Sequence, residues 1–234
     1  ATTEIYTLSY TTLFRSEILD QVNLQEAQFI YRQLTEEQAS LVLVELEEDI
    51  REQFLASLSA KEIATQLDNI ESDDAADIIQ DLPEYRKQRV LSQLEDEEHS
   101  DEISMLLEYD EDTAGGLMAT EYIVTNVNWT IEQSLLELRL QAEETSYVYT
   151  IYVVNNENQL LGTLSLKSFL YADNKTKIKN LYRKEPISVS TETDAEEVAQ
   201  LMEKYDLVAM PVVDSNNKLV GRITIDDIVD VIKE

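Results

Sequence analysis

The residues of this chain whose types and spacing suit chemistry are carboxylates at helical intervals. Asp73 and Asp77 stand at i and i+4 with Asp74 beside them, and Asp227 and Asp230 stand at i and i+3 with Asp226 beside them. Such spacing puts both members of a pair on one helix face, where like charges cost roughly 0.2–0.5 kcal/mol. Asp194 and Glu196 open another predicted helix. Asp206 follows Tyr205 at that helix's end, where a carboxylate meets the negative end of the dipole. Ordinary structural roles exist for most of them: first-turn acidity for Asp73 and Asp77, capping for Asp194, a solvated face for Asp227 and Asp230. Asp206 is the least comfortable. Two carboxylates about 4 Å apart repel by about 1 kcal/mol in water and roughly 4 kcal/mol at an effective dielectric near 20. Taken together, these acids ask for a cation. Mg²⁺ suits them, being a hard ion that takes six oxygens, keeps several waters and uses one or two carboxylates per site.

Composition closes off most other chemistry. Among the 234 residues, 18 Lys and Arg stand against 48 Asp and Glu, a formal net charge of −30. That field repels nucleic acid, phosphates and anionic membrane surfaces and draws in cations. There are no cysteines, so disulfides, thiolate metal sites and Cys nucleophiles are excluded. The single histidine, His99, lies in the polar run Glu95–Ser100 and reads as solvated surface, which leaves neither a zinc site nor a Ser-His-Asp triad. Gly115 and Gly116 are followed by no lysine and flanked by acids, so they form no phosphate-binding loop. Tyr147 and Tyr149 alternate at strand spacing and, with Tyr152, read as sheet packing, not as a base-stacking platform. No run reaches the ~18 apolar residues of a membrane span, and no signal peptide opens the chain. The expectation is a soluble, cytosolic fragment of something longer, since Ala1 is not a start Met and the last helix lacks a terminator.

Two periodicities organise the elements that must hold these acids. In the first half, apolar anchors recur every twelve residues at Leu34, Leu46, Leu58, Ile70, Leu82 and Leu94. Several precede cap-like starts: Thr35, Ser59, Ser72 and Pro83-Glu84. A rhythm of short capped helices predicts a stacked superhelix, with residues 1–30 as its entry helices. In the second half, Val153–Ser165 returns 59 residues later as Val212–Thr224. Each copy reads as strand, Asn/Asp turn, strand, then helix (Leu166–Tyr171 and Ile225–Ile232). Each is preceded by a strand and a helix: Ile123-Val124 with Ile131–Ala142, and Ile187–Val189 with Ala195–Tyr205. Between the halves, Tyr109–Met118 breaks the helical pattern and holds two of the four glycines, which places a joint there.

Two such modules, each with a Val-Val-Asn/Asp turn and Gly-x-hydrophobic-Ser/Thr, resemble a pair of CBS domains. The Asp112-Thr113-Ala114-Gly115-Gly116-Leu117-Met118 joint, the downstream Leu201–Asp206 segment and the acidic helical half together resemble the cytosolic part of MgtE-type magnesium transport proteins. This resemblance covers residues 30–234. It implies an α+β multidomain chain: an N-terminal all-α right-handed superhelix of short helices (1–115), then CBS domain 1 (116–178) and CBS domain 2 (179–234) with a truncated C-terminal helix. It also implies a homodimer through the CBS domains and a transmembrane pore domain in the full-length chain, which places this part at the cytoplasmic face of the cell membrane.

The resemblance further implies regulatory Mg²⁺ between the N domain and the CBS domains and near the CBS dimer interface. The matching positions are Asp73, Asp77, Asp194, Glu196, Asp206, Asp227 and Asp230, with the Gly116 carbonyl as a further oxygen. CBS domains that bind adenine nucleotides carry Gly-x-x-Ser/Thr-x-x-Asp, which Gly221, Thr224 and Asp227 keep. The first copy replaces the acid with Ser168 after Gly162 and Ser165. The function expected is a non-enzymatic Mg²⁺ sensor in which the ion favours a compact, pore-closing state. An adenine-nucleotide sensor and an acidic protein-interaction scaffold are the alternatives. A metal-dependent hydrolase lacks a nucleophile and base constellation.

Overall fold

A computed structural model describes residues 16, 19, 22–145, 148 and 150–233. The chain divides into two compact units, Ala1–Met105 and Leu106–Glu234. Of the predicted entry helices, residues 1–15, 17–18 and 20–21 lie outside the described residues, as do Tyr147 and Tyr149 of the tyrosine alternation.

The first unit is a succession of short helices: α1 (Leu24–Tyr31), α2 (Glu36–Val44), α3 (Glu48–Ser57), α4 (Ala60–Leu67), α5 (Ser72–Gln80), α6 (Glu84–Leu91) and α7 (Glu97–Leu106). The twelve-residue rhythm has a structural meaning. Its anchors fall in the turns between helices: Leu34, Leu46, Leu58, Ile70 and Leu82 each precede the N-cap of the next helix. That is the staple position, where an apolar residue fixes the angle at which the chain enters a helix. The backbone turns there by tight bonds to the carbonyl three residues back, as in Leu34 to Tyr31 (3.0 Å), Ile70 to Leu67 (3.3 Å) and Leu82 to Ile79 (3.0 Å).

Caps follow the anchors. Thr35 with Gln38 and Ser59 with Glu62 form complete capping boxes. Two predicted starts shift by one residue. Pro83 is itself the N-cap, and Ser72 is the first helical residue, fully buried, with Glu71 before it as an N-cap whose side chain does not cap the helix. Because short helices cannot bond all their own terminal carbonyls, long side chains do it. Arg86 donates to the carbonyls of Leu55 (2.7 Å) and Leu58 (2.6 Å) at the end of α3. Arg51 pairs with Asp81 at 2.6 Å while reaching the Val44 carbonyl. Val42, Leu43, Ile63, Leu67, Ile78 and Ile79 are fully buried, each contributing roughly 1.5–3 kcal/mol.

The second unit contains the repeat. Its first module has β1 (Val124–Asn126), α8 (Ile131–Glu144), β2 (Ile151–Val154), β3 (Leu160–Leu164), α9 (Leu166–Tyr171) and, after a 3-10 turn at Ile178–Asn180, β4 (Arg183–Lys184). The second has β5 (Val189–Ser190), α10 (Ala195–Tyr205), β6 (Ala209–Val213), β7 (Leu219–Thr224) and α11 (Ile225–Lys233). In both, the first strand runs parallel to the second and the second antiparallel to the third. Both hairpins carry the same irregularity, between Val153 and Val154 and between Val212 and Val213.

The chain before each module also lends backbone pairing to the other one. β4 pairs with β3 of the first sheet, while Ala119 bridges Arg222 at the edge of β7. Glycine is required at both crossings. A Cβ on Gly162 would lie 2.0 Å from the Arg183 carbonyl, and one on Gly221 would lie 2.6 Å from the Met118 sulfur. Strand β2 is buried on both faces. Ile151 and Val153 enter the first module's core, while Tyr152 and Val154 join Val213 and Leu219 in a core shared between modules.

Candidate functional site

The predicted acids fall in three places. The first is α5, where Asp73 is half-buried and its Oδ1 accepts the Asp74 N–H at 2.9 Å. Asp77, one turn later, is exposed.

The second is the start of α10. Asp194 is the N-cap, its Oδ1 accepting the Glu196 N–H at 2.9 Å, so both acids are fixed at the helix's positive end. The glycine joint packs here. Asp112 accepts the Ala195 N–H on its carbonyl (2.9 Å), and Ala114 and Gly115 donate to Thr193 (2.7 Å) and Thr191 (2.9 Å). Gly116 closes that turn by donating to the Thr113 carbonyl at 3.0 Å. The exposed acids Asp110, Glu111 and Asp112 are thereby gathered near exposed Asp194 and Glu196. The negative field reaches Tyr109, whose phenol is pushed up by burial and then by Glu192, Glu108 and Asp214.

The third place joins the end of α10 to the start of α11. Asp206 closes α10 in the left-handed region (φ 54°, ψ 50°), with Leu207 donating back to Met202 at 3.0 Å. This is a Schellman-type ending, in which Asp is among the few tolerated replacements for glycine. The adjoining Val208 carbonyl accepts the Ile225 N–H at 3.0 Å, which ties this turn to α11. There the Thr224 N–H donates to Asp227 Oδ2 at 2.7 Å, the reverse half of a capping box. The Thr224 hydroxyl lies 3.0 Å from the same oxygen and also contacts Asp226 Oδ1. One hydroxyl hydrogen thus faces two carboxylates. Burial pushes the Asp227 carboxyl up to about 6, Asp226 adds to this, and the Thr224 bonds and the Arg222 charge oppose it. Asp230 lies one turn further along α11, and its side chain is outside the described part.

Helix α10 has eleven residues and is therefore about 16 Å long, so the acids at its two ends cannot share one ion. The acids at each of the three places offer hard oxygen donors. That donor set fits Mg²⁺. In the first module the residue equivalent to Asp227 is Ser168, whose N–H and hydroxyl meet the Ser165 hydroxyl at 3.1 and 2.8 Å. The cap survives there without the acid.

Two features escape the sequence pattern. Asp226 is closer to Thr224 than its place beside Asp227 suggests. Arg222 is only 4% exposed, and its Nε donates to the Glu121 carbonyl at 2.7 Å. Strand alternation puts Arg222 and Thr224 on one face, but nothing in the sequence says that this face is covered.

Two family models match the chain: the MgtE intracellular N domain over residues 15–112 and the CBS domain over residues 178–234. The chain is 34% identical over 233 residues to the magnesium transporter MgtE of Thermus thermophilus, covering 93% of this chain and 51% of that protein. It superposes on the crystal structure of the soluble part of a magnesium transporter with a TM-score of 0.83 and 30% identity, covering 98% of this chain and 95% of the other. The chain belongs to the MgtE family. A second MgtE structure, the cytosolic domain of the Mg²⁺ channel in complex with ATP, matches with a TM-score of 0.78 and 33% identity over 92% of this chain and 93% of the other. The helical unit followed by a CBS pair is thus the architecture of MgtE cytosolic domains, and the chain is a non-enzymatic member of the family. It spans about half the length (51%) of the curated MgtE relatives. Among the described residues no helix is long and apolar enough to cross a membrane.

Proposed function

We propose that this chain is the Mg²⁺-sensing regulatory part of a magnesium transporter, held at the cytoplasmic face of the membrane. Mg²⁺ bound by the acids of the helical unit and the CBS pair favours a compact arrangement that closes a pore carried elsewhere in the full-length protein. When Mg²⁺ falls, carboxylate repulsion loosens the arrangement. The ion acts only to the extent that it prefers one arrangement over the other. The observation that carries this reading is the gathering of Asp110, Glu111 and Asp112 beside Asp194 and Glu196 through the docked glycine joint. Acids fixed by capping and backbone bonds stay close whether or not a cation neutralises them. Exposed apolar side chains on α8 (Leu136, Leu140) and α11 (Val229) support a homodimer through the CBS pair.

The test is calorimetric Mg²⁺ titration of the intact chain beside Asp194→Asn/Glu196→Gln and Asp73→Asn/Asp77→Asn. Weak binding, of about millimolar strength and reduced in each double variant, supports the sensor. Unchanged binding in a variant removes that pair from the ligand set, and no binding by the wild-type chain refutes the reading.

A second ligand, an adenine nucleotide, is favoured by the Gly221, Thr224 and Asp227 pattern and by the ATP complex of a relative. Asp227 then serves both as the cap of α11 and as an acceptor for a ribose hydroxyl. Titration of ATP and AMP with Asp227→Ala tests it.

A further inference from the structure

Six of the 18 Lys and Arg residues lie between Lys167 and Lys184, where Asp173 is the single acid. In a chain of charge −30 this is a local reversal of sign. The fold makes a surface of it. Residues 174–179 run beside the start of α8, held by Ile131 and Glu132 donating to Thr176 and Asn174 (both 3.0 Å) and by Ile178 and Lys179 donating to Trp129 (2.9 Å) and Val127 (3.1 Å). Ile178 is fully buried in the first module's core, while Lys175, Lys177 and Lys179 are exposed around it. Along the chain Lys167 on α9 precedes the strip and Arg183 and Lys184 on β4 follow it, all exposed. None of the six makes an ion pair among the described residues. Beside the strip along the chain stands Tyr171, 85% exposed.

We propose that this strip docks on anionic phospholipid headgroups, an inference that rests on the reading of the chain as part of a membrane transporter. Charge beyond about 8 Å is largely screened at physiological ionic strength, so the strip and not the net charge decides what happens at contact. A planar surface meets the strip together with the exposed acids beside it, Glu132, Asp173 and Glu185, which the six bases outnumber two to one. A long nucleic acid would run on past the strip into negative surface. Tyr171 adds an amphipathic ring of the kind that settles at headgroup depth. Docking there would tether the first CBS module beside the membrane.

Flotation of the full chain with vesicles tests this, in chelator so that Mg²⁺ cannot bridge acids to lipid. The vesicles are phosphatidylcholine alone or with about one third phosphatidylserine. Wild type should float with the anionic vesicles only and lose binding steeply as salt rises. Lys175→Glu/Lys177→Glu/Lys179→Glu should lower its partition at least about ten-fold, each basic residue near such a surface being worth roughly five-fold. Lys61→Glu/Arg89→Glu/Lys204→Glu, with the same change in net charge at residues that are not part of the strip, should lose much less. Equal binding to neutral vesicles, no binding to either, equal losses in the two variants, or displacement by a short RNA at matched phosphate overturns the proposal. Calorimetric Mg²⁺ titration of the same preparations separates the two readings. A Mg²⁺ response kept in a protein that never floats sinks the lipid surface and spares the sensor.

Discussion

Asn158 and Asn217 hold each other's hairpin across the CBS pair. The Asn158 side chain donates to the Leu219 carbonyl at 3.0 Å, and the Asn217 side chain donates to the Leu160 carbonyl at 3.0 Å. The backbones reciprocate, Leu160 donating to Asn217 (2.9 Å) and Leu219 to Asn158 (3.0 Å). Both asparagines sit at φ 61°, the left-handed region that Asn enters more easily than other side chains. The internal repeat is therefore also the device that locks the two modules about a pseudo-twofold axis. Asn158→Ala should cost about 2 kcal/mol, half from the lost bond and half from backbone strain. Asn158→Gly should recover the strain part. Denaturant unfolding of both variants checks this, and equal costs would show that the left-handed backbone contributes nothing.

Close approach at the swapped edges gives a second expectation. Gly221→Ala puts a methyl 2.6 Å from the Met118 sulfur and 2.9 Å from the Ala119 carbonyl. The Ala119–Arg222 bridge should open, costing about 1–3 kcal/mol by overpacking. Faster amide exchange at Ala119 and Arg222 than in wild type is the readout.

The helical unit depends on its caps because its helices are too short to stand alone. Ser59→Ala removes the hydroxyl that accepts the Glu62 N–H at 3.2 Å and should cost about 1 kcal/mol. Thermal unfolding reads this directly, and Ser59→Asp should restore most of it.

Asp227 gives an unusual pH dependence in metal-free buffer. Its folded pKa, about 6, lies above the ordinary carboxylate value. Between about pH 4 and 6 the folded state therefore binds more protons than the unfolded one, and stability falls as pH rises through that window. Asp227→Asn, which still accepts the Thr224 N–H, should stabilise the chain by about 2 kcal/mol above pH 6. The gain should vanish below about pH 4, and melting temperatures across that range check it. A variant gain that is constant with pH would remove ionisation as the cause.

Much of this architecture was legible from particular residues. The 59-residue repeat located both hairpins, both terminal helices and the equivalent glycines, since strand alternation and turn chemistry are written locally. The twelve-residue anchors announced short helices, although their place in the turns emerged only with the caps resolved. The acids were legible as pairs along single helices. That α10 keeps Asp194 and Asp206 about 16 Å apart follows from its length, whereas the packing of the glycine joint on α10 is a long-range contact with no local signal. Buried Arg222 and the Asp226–Thr224 contact were hidden for the same reason.

The most direct test of Mg²⁺ sensing is small-angle scattering of the intact chain as MgCl₂ rises to about 20 mM, the span a weak carboxylate site needs, against KCl at matched ionic strength. Mg²⁺ is expected to shrink the radius of gyration and to protect the joint around residues 110–120 from proteolysis, with both effects weakened in Asp73→Asn/Asp77→Asn. Identical scattering and cleavage in the two salts would contradict cation-driven closure in this chain.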